Sequence, residues 1–457
     1  MTTKIADSRK EFLLKTFAIA IPVVIQNLLS NSLSFVDTLM IGQLGEASIA
    51  AVGLANQMFF LISLFFFGIT SGSSIFLSQY WGAKNLDGIQ KVLGLSISIA
   101  ATGALLFSIA SFAIPRSIMH VFTYDEAVVS IGSTYLRIVA FSYIASSISQ
   151  IFGTALRVIG KAKTPLAVAV VSLAVNALGN YLLIFGIGPF PRMGVAGAAL
   201  ATSFSRILEI VLLLYFIYHK YPTVSIQSRN AFRWKKQFIL RVVPTCTPVI
   251  LNELFWALGM IAYKIAYSKM GVEAIAAVNV TESIASLFFV AMMGISNATV
   301  IMIGIKIGEK EEDLARLYAK RFILIALATG VLSGLLESQL ALPFTRLFNI
   351  GSSVKTMALY CLYANALLLP IKSINMSVIV GILRAGGDTK FSMFAEMFGV
   401  WCVGVPLAFI GSMVLHLSIW NLYLLLGMEE VVKIIIGLSR VRAGKWIHDL
   451  TEKPSLT

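Results

Sequence analysis

The chain has 457 residues, of which 58% are hydrophobic and only 13% are charged, and its mean hydropathy is +0.85. A soluble domain usually has about 25% charged residues, and a globular core could not hide this much apolar surface behind so few polar residues. These values exclude a soluble enzyme, a nucleic-acid-binding protein and a disordered chain. They predict an integral membrane protein, in which a net charge of +14 is typical of basic loops on the inner side of the bilayer.

Twelve apolar runs are long enough to cross a bilayer as helices, which takes about 20 residues each. They are too long for barrel strands and lack the alternating pattern of such strands. We therefore predict an all-α integral membrane protein with twelve transmembrane helices. The predicted spans are residues 13–38, 48–80, 90–114, 130–155, 165–187, 195–218, 239–266, 274–304, 317–341, 356–381, 391–413 and 416–437.

The distribution of basic residues tests this count. With the N-terminus placed inside, 26 of the 36 Lys and Arg residues fall in inside segments or in the first five residues of the spans that follow them, five fall in outside loops, and five lie deeper within spans. A missed or extra span would scramble this asymmetry, which the positive-inside rule predicts for twelve helices with both ends inside. We expect a multi-pass protein of the cytoplasmic membrane with both termini in the cytoplasm.

The sequence repeats itself. Residues 22–84 align on 248–310 at an offset of 226 without a gap, and the segment that starts at Leu156 matches the one that starts at Leu383 at an offset of 227. The anchors of the longer alignment are Pro22 and Pro248, Gly45 and Gly271, Gly68 and Gly294, Gly82 and Gly308, and Lys84 and Lys310. Because each half holds six helices, the halves are parallel repeats, and the expected fold is two pseudo-symmetric six-helix bundles.

The repeat predicts four regions: an N-lobe at residues 1–218, a basic cytoplasmic linker at 219–238, a C-lobe at 239–437 and a cytoplasmic tail at 438–457. Transporters with this organisation bind substrate near the membrane midplane and alternate access between the two sides. The alternative is a duplicated scaffold without a transport role.

One intramembrane carboxylate, Asp37, lies near the outer end of predicted helix 1. Because a charge at a helix centre costs about 2.5–3.5 kcal/mol on insertion scales, its default interpretation is functional. Asn176 and Asn180 lie four apart on one face of predicted helix 5, and Thr202 lies in helix 6. A carboxylate ringed by neutral oxygens suits a proton or sodium ion, and no His/Cys cluster indicates a transition metal or other cofactor. The asparagines could instead bridge helices by hydrogen bonds.

A second group of polar residues predicts a substrate site in the C-lobe. Glu253, Trp256 and Met260 lie on one stripe of helix 7 with Asn252 beside them, and an acid next to adaptable apolar groups suits lipophilic cations. Glu282 in helix 8 could join them. Alternatively, Trp256 and Met260 are ordinary core or lipid-facing residues.

The roles expected for other intramembrane residues follow from their positions in the helices. Pro22 and Pro248 lie inside helices 1 and 7, where the shared repeat position predicts hinges or kinks. Glu209 is expected to pair with Arg206 three residues earlier. Glu396 receives no role.

Four segments resemble a known family: Val36–Gly42, the I-A-A-V block after Leu44-Gly45, Gln79–Ala83, and Leu383–Lys390. They resemble the MATE (multidrug and toxic compound extrusion) family over about residues 12–437. The resemblance implies two lobes around a V-shaped cavity and antiport of organic cations against sodium or protons. It also implies that Asp37 is the carboxylate of an N-lobe cation site, with Asn176, Asn180 and Thr202 as its partners.

The sequence departs from the family pattern at two places. Some relatives have an acid where Asn180 stands, which leaves Asp37 as the only carboxylate of its cluster. Relatives of the NorM branch pair a helix-7 glutamate with a helix-10 aspartate, and here helix 10 has no acid. A C-lobe sodium site of that kind is therefore not expected.

We predict a monomeric, cation-coupled exporter of small organic cations that works by alternating access in the lipid bilayer. The coupling ion is either a proton or sodium. The alternative is a flippase for a lipid-linked precursor, which would need a cavity rich in Arg and Lys; here only Lys264, Lys372 and Arg137 lie deep enough. A membrane-embedded enzyme is not expected, because no metal motif or nucleophile–base pair lies within the spans.

Overall fold

The computed structural model describes residues 9–227, 229–348 and 350–451, so residues 1–8 of the predicted N-lobe and 452–457 of the predicted tail lie outside the described residues. The chain folds into helices because its apolar runs can satisfy their backbone groups internally only as helices within a bilayer. The helices are α1 (Arg9–Gly42), α2 (Glu46–Gly82), α3 (Leu86–Ala113), α4 (Pro115–His120), α5 (Glu126–Val139), α6 (Ser142–Val158), α7 (Lys163–Phe185), α8 (Val195–Lys220), α9 (Lys236–Ser268), α10 (Val272–Gly308), α11 (Glu312–Arg346), α12 (Ser352–Asn375), α13 (Thr389–Met397), α14 (Val405–Phe409) and α15 (Ile419–Arg442).

Some of these helices are joined by wider turns. Residues Met376–Leu383 continue α12 as a π-helix, and the π-helical segments Phe398–Gly404 and Ile410–Val414 flank α14. The run from Thr389 to Val414 therefore forms one span. Such wide turns often occur at functional sites.

The structure confirms the predicted all-α fold throughout the residues that it describes. Among these residues, ten helices are long and apolar enough to cross a membrane, and α5 and α6, bent by 50° at their junction, make an eleventh when the pair is counted as one span. The predicted twelfth span corresponds to α15, which is 24 residues long and contains Glu429, Glu430 and Lys433. The predicted single span at 130–155 is thus a broken helix.

The repeat is visible in the helix ends. Helices α2 and α10 have 37 residues each, and both of their ends are related by the offset that aligns the two halves of the sequence. Gly45 and Gly271, which precede them, have φ of 108° and 106°, a backbone conformation that favours glycine. The repeat thus extends from the sequence to the local backbone.

The chain is made of two compact units. Of the described residues, the C-unit contains 9–24, Ser78–Lys84 and those between 240 and 451, and the N-unit contains Ile25–Leu77 and those between 85 and 239. This division cuts through α1 and α2, whereas the lobes predicted from the sequence are divided only at the linker. The first part of α1 and the end of α2 therefore pack with the second half of the sequence.

Each unit has its own apolar core. In the N-unit, a buried cluster includes Ile62, Phe66 and Leu136, from α2 and α5. In the C-unit, one cluster includes Tyr263 from α9 and Leu422 from α15. These cores fix the helices that present the polar residues described below.

The segment after α15 folds back onto the C-unit. Trp446 is 1% exposed, and the backbone nitrogen of His448 donates to the carbonyl oxygen of Gly386 at 2.8 Å. Gln79 at the end of α2 donates from Nε2 to the carbonyl oxygen of Ala385 at 3.0 Å and accepts from the Leu450 backbone nitrogen at 2.8 Å. Two of the sequence motifs and the tail thus meet around Gln79.

Candidate functional site

The four residues predicted to form a cation site are connected in the N-unit. Asn180 on α7 donates from Nδ2 to Asp37 Oδ1 on α1 at 2.6 Å, and more weakly to Asn176 Oδ1 at 3.4 Å. Asn176 in turn donates from Nδ2 to Thr202 Oγ1 on α8 at 3.3 Å. One chain of side chains therefore links three helices, which the i,i+4 spacing of the asparagines makes possible.

The cluster is poorly hydrated and rich in oxygen. Asn176 and Asn180 are 4% and 1% exposed, and Asp37 is half-buried. Within the part of the chain that the structure describes, Asn180 Oδ1 has no hydrogen-bond partner. Buried amide oxygens normally find a partner. The free oxygen beside a carboxylate is therefore suited to a proton donor or a small hard cation.

Tyr135 is a member of this cluster that the sequence analysis did not select. Its hydroxyl lies 3.5 Å from Asn56 Oδ1 and interacts with Thr202. The side chain is buried at 7% exposure in the broken fourth span. The sequence signal for a place in this cluster is slight: a tyrosine, whose side chain ends in a polar hydroxyl, lies in an otherwise apolar helix.

Arg206 is a second addition, one helical turn beyond Thr202 on α8. Its Nη1 donates to Ser146 Oγ at 2.9 Å, and its guanidinium carbon lies 4.1 Å from the centre of the Phe59 ring. The Arg206 guanidinium interacts electrostatically with Glu209, which the sequence predicted as its partner, and also with Asp37. A fixed cation therefore lies near the Asp37 cluster.

Glu253, predicted to attract a cationic substrate, has a buried partner instead. Arg384 donates from Nη2 to Glu253 Oε1 at 2.8 Å, and the two side chains are 1% and 11% exposed. Removing one partner of a buried ion pair typically costs about 3–5 kcal/mol, so the pair holds α9 to the end of the fourth span of the C-lobe. Its charge is compensated, and the substrate role of Glu253 stays a prediction that the geometry does not support.

The other predicted substrate residues are spread out. Asn252 is buried, Trp256 is half-buried, and Met260 packs against the Tyr263 core. Glu282 on α10 lies 3.1 Å from Lys264 on α9, with side chains 44% and 55% exposed. Of the predicted acids in the C-lobe, Glu282 is the more accessible.

The two predicted hinge prolines lie inside continuous helices, Pro22 in α1 and Pro248 in α9. The boundary between the C-unit and the N-unit crosses α1 between Val24 and Ile25, two residues after Pro22. A proline removes one helical hydrogen bond and so softens the helix at this point. This placement is consistent with hinges, and the hinge role stays a prediction.

The C-lobe contains more buried charge than the sequence analysis selected. Asn365 donates to Glu337 Oε1 at 2.9 Å, and Lys372 donates to Asn365 Oδ1 at 2.7 Å. Lys433 Nζ lies 2.7 Å from Glu396 Oε1, so Glu396, for which the sequence predicted no role, has a cationic partner. The missed acids Glu337, Glu429 and Glu430 all lie in predicted spans, so the rule that singled out Asp37 applies to them equally.

Two parallel six-helix repeats with polar clusters buried at membrane depth define a membrane transporter of the duplicated-bundle class. Comparison with known proteins makes this class specific. The sequence profile of the MatE family matches residues 22–182 and 248–410, and the chain therefore belongs to the MATE family of multidrug efflux transporters.

Individual relatives agree with this assignment. The uncharacterized transporter YisQ of Bacillus subtilis is 25% identical over 432 residues, covering 94% of each chain. A probable multidrug resistance protein NorM of Thermotoga maritima is 24% identical over 456 residues, covering 97% of this chain and 94% of the relative.

Solved structures share the fold. A Vibrio cholerae MATE transporter, VcmN, superposes with a TM-score of 0.87 at 19% identity and covers 97% of this chain and 99% of its own. A transporter of the MOP superfamily from Pyrococcus furiosus, described as having a binding pocket of reverse polarity, gives 0.84 at 20% identity, with coverage of 94% and 96%.

Proposed function

We propose that this protein exports small organic cations in exchange for protons or sodium ions, and that the coupling ion binds at Asp37. The observation that carries the proposal is the hydrogen bond from Asn180 to Asp37 inside a buried set of oxygens on three helices. A NorM relative and a solved MATE transporter are both named for multidrug resistance. Export against a concentration gradient requires an energy source, and an ion gradient would supply it through an ion-binding carboxylate.

The cluster is suited to coupling because it links ion binding to helix position. A proton or sodium ion at Asp37 would cancel its charge and weaken its attraction for the Asn180 amide, which is anchored through Asn176 to α8. Asp37 lies on α1, the helix that passes from one unit to the other near Pro22. Ion binding would therefore bias α1 between two arrangements, as coupling requires.

The exposed pair of Glu282 and Lys264 is our candidate for contact with substrate. Charged side chains at membrane depth face water-filled cavities or other protein rather than lipid. Glu282 lies ten residues into α10, about 15 Å from its start, and is partly exposed. A cationic substrate could replace Lys264 as its partner.

We place the protein in the cytoplasmic membrane with both termini in the cytoplasm, on the basis of the distribution of basic residues. We further propose that it acts as a monomer in the lipid bilayer, because the two repeats of one chain supply the symmetry that a transport cycle needs.

The flippase alternative is less well supported. A pyrophosphate would need basic side chains whose charge is available. Lys264 pairs with Glu282, and Lys372 donates to Asn365 Oδ1 beside Glu337. Both lysines therefore lie in acidic surroundings, which favours a cationic substrate.

The proposal is tested by reconstituting the purified protein in liposomes and imposing a proton gradient and a sodium gradient separately. We expect at least one gradient to drive movement of a fluorescent organic cation, and an ionophore that collapses this gradient should stop it. Liposomes without protein provide the control. Movement that neither gradient accelerates would refute the coupling.

The Glu282→Gln substitution should raise the dye concentration that gives half-maximal export by roughly 10- to 100-fold. Hydrogen bonds to charged groups contribute about 1.5–3 kcal/mol, and each 1.4 kcal/mol is about tenfold. Glu273→Gln is the matched control, because Glu273 is an exposed acid at the start of the same helix and bonds Ser353. Unchanged concentration dependence in Glu282→Gln would remove this residue from the substrate site.

A further inference from the structure

A second polar cluster lies in the C-unit, whereas the predicted cation site belongs to the N-unit. Lys433 on α15 lies 2.7 Å from Glu396 Oε1 on α13 and is also in contact with Glu429 on its own helix. The Tyr263 hydroxyl on α9 donates to Glu429 Oε2. Glu429 and Lys433 are 4% and 3% exposed, so three helices meet at a buried ion cluster.

The backbone of the eleventh span makes room for this cluster. A Cβ added at Gly399 would lie 2.6 Å from Lys433 Cε, and one added at Gly404 would lie 2.5 Å from Glu429 Oε2 and overlap the Tyr263 hydroxyl. Any larger residue would displace these polar groups. The cluster is therefore built into the packing of the C-lobe.

The cluster corresponds to the Asp37 cluster through the internal repeat. Tyr263 occupies the position of Asp37 when the offset of the gapless alignment is applied. Glu429 and Lys433 occupy the positions of Thr202 and Arg206 at the offset that relates the Leu156 and Leu383 segments. Each lobe thus has a carboxylate, a hydroxyl and a cation on its first and sixth helices, and in the C-lobe the carboxylate and hydroxyl have exchanged helices.

The charges around Lys433 do not balance. The carboxylates are Glu396, Glu429 and Glu430, with Glu337 acting on Lys372, and the two lysines are Lys433 and Lys372. Tyr263 and Tyr267 also face the cluster, and Tyr423, whose ring stacks on Tyr267 at 5.9 Å, interacts with Glu337. Among the described residues, these four carboxylates thus exceed the two lysines by two, and an uncompensated buried charge costs several kcal/mol.

An unused acceptor lies beside the excess acids. Asn375 donates from Nδ2 to Glu430 Oε2 at 2.7 Å. The side chain is 5% exposed, and its Oδ1 has no partner among the described residues. A protonated carboxyl could donate to this oxygen, since amide groups can present either atom to a neighbour.

We propose that the adjacent carboxyls Glu429 and Glu430 form a second proton-binding site, with Lys433 as its resident cation. The ammonium group occupies the place between carboxylates that a metal ion would need, so the site takes protons and excludes sodium. The inference rests on the proposed function in one respect only, because a second proton-binding site would contribute to ion-coupled export. It concerns binding, and its test therefore needs no transport.

The test is infrared difference spectroscopy of the purified full-length protein between acidic and alkaline buffer, which detects the C=O stretch of protonated carboxyls. In the Asp37→Asn background we expect a protonated-carboxyl band that loses one carboxyl equivalent of amplitude in Glu429→Gln or Glu430→Gln. Glu273→Gln should retain the full band. No band in Asp37→Asn, or a band of full amplitude in the Glu429→Gln/Glu430→Gln double variant, would overturn the proposal.

Two further arms keep the test decisive. Tyr263→Phe retains every carboxylate and should shift the band, because the hydroxyl contacts Glu429; an unshifted band would contradict the assignment. In the Asp37→Asn background, replacing choline by sodium should leave the band unchanged, and adding Lys433→Gln should make sodium diminish it; a sodium-sensitive band in Asp37→Asn would refute the exclusion of sodium. Failure of gradient-driven export would refute the proposed function while leaving this band in place.

Discussion

Replacing Asp37 by asparagine is expected to abolish gradient-driven export while leaving the fold intact. The substitution keeps the shape of the side chain and removes the only carboxylate among the oxygens linked through Asn180, Asn176 and Thr202. Attraction between unit charges 4 Å apart contributes about 4 kcal/mol at an effective dielectric constant of about 20. Its loss would weaken ion binding roughly 1,000-fold.

The measurement is dye movement in proteoliposomes under the gradient that drives the wild-type protein, with gel filtration to verify folding. Asp87→Asn is the matched control, because Asp87 is an exposed aspartate whose pair with Lys91 spans one helical turn at 2.5 Å. Exposed pairs contribute about 0–1 kcal/mol, so this variant should export normally. Wild-type export by Asp37→Asn would show that the coupling ion binds elsewhere.

The sequence predicted the helix ends best where two signals agreed. The predicted spans 48–80 and 274–304 correspond to α2 and α10, whose observed bounds are Glu46–Gly82 and Val272–Gly308. At the start of each helix, the apolar run begins just after a glycine whose positive φ favours that residue type. The length of an apolar run, its hydropathy and the internal repeat can all be identified from a single sequence.

The bend in the fourth span had no such signal. The predicted helix 130–155 breaks between Val139 and Ser142 by 50°, but the intervening residues are Ala140 and Phe141. Sharp kinks usually occur at proline, glycine or π-bulges. Packing across the N-unit therefore determines a bend that residue types alone do not indicate.

Side-chain partners were the hardest feature to predict. The i, i+3, i+7 stripe of Glu253 described one helix correctly but could not show Arg384, which lies at the end of a span three further along the chain and neutralises Glu253. Asp37 and Asn180 also lie far apart in sequence, and they were grouped because helix spacing and family resemblance indicated the same cluster. A polar residue within a span can thus be found from sequence, whereas its charge balance depends on tertiary contacts.

The contact between the ends of α2 and α10 leads to the second large effect. A Cβ added at Gly308 would overlap the Gln79 carbonyl oxygen, and one added at Gly82 would overlap that of Ile305. Gly308 and Ile305 are the repeat equivalents of Gly82 and Gln79 in the gapless alignment. The contact therefore relates repeat-equivalent residues to each other, and it holds the end of α2 within the C-unit.

On the predicted topology this contact is at the cytoplasmic end, and under the proposed alternating access we expect it to separate when the protein opens to the cytoplasm. Gly308→Ala should favour the separated state, because the clash involves backbone that cannot move aside. Overpacking costs about 1–3 kcal/mol, which corresponds to a shift of about 5- to 150-fold. Gly82→Ala should act in the same direction, because it introduces the repeat-equivalent clash.

The shift can be measured at Ser78, which is buried in the contact beside Gly304. Ser78→Cys in a variant that lacks Cys246, Cys361 and Cys402 provides one thiol, which a maleimide added to inside-out vesicles reaches only when the contact opens. We expect Gly308→Ala to accelerate labelling by the factor given above. Gly53→Ala on the same helix as Ser78, where an added Cβ meets nothing within 4 Å, should label at the parental rate. Equal rates in Gly308→Ala and Gly53→Ala would mean that this contact does not control access from the cytoplasmic side.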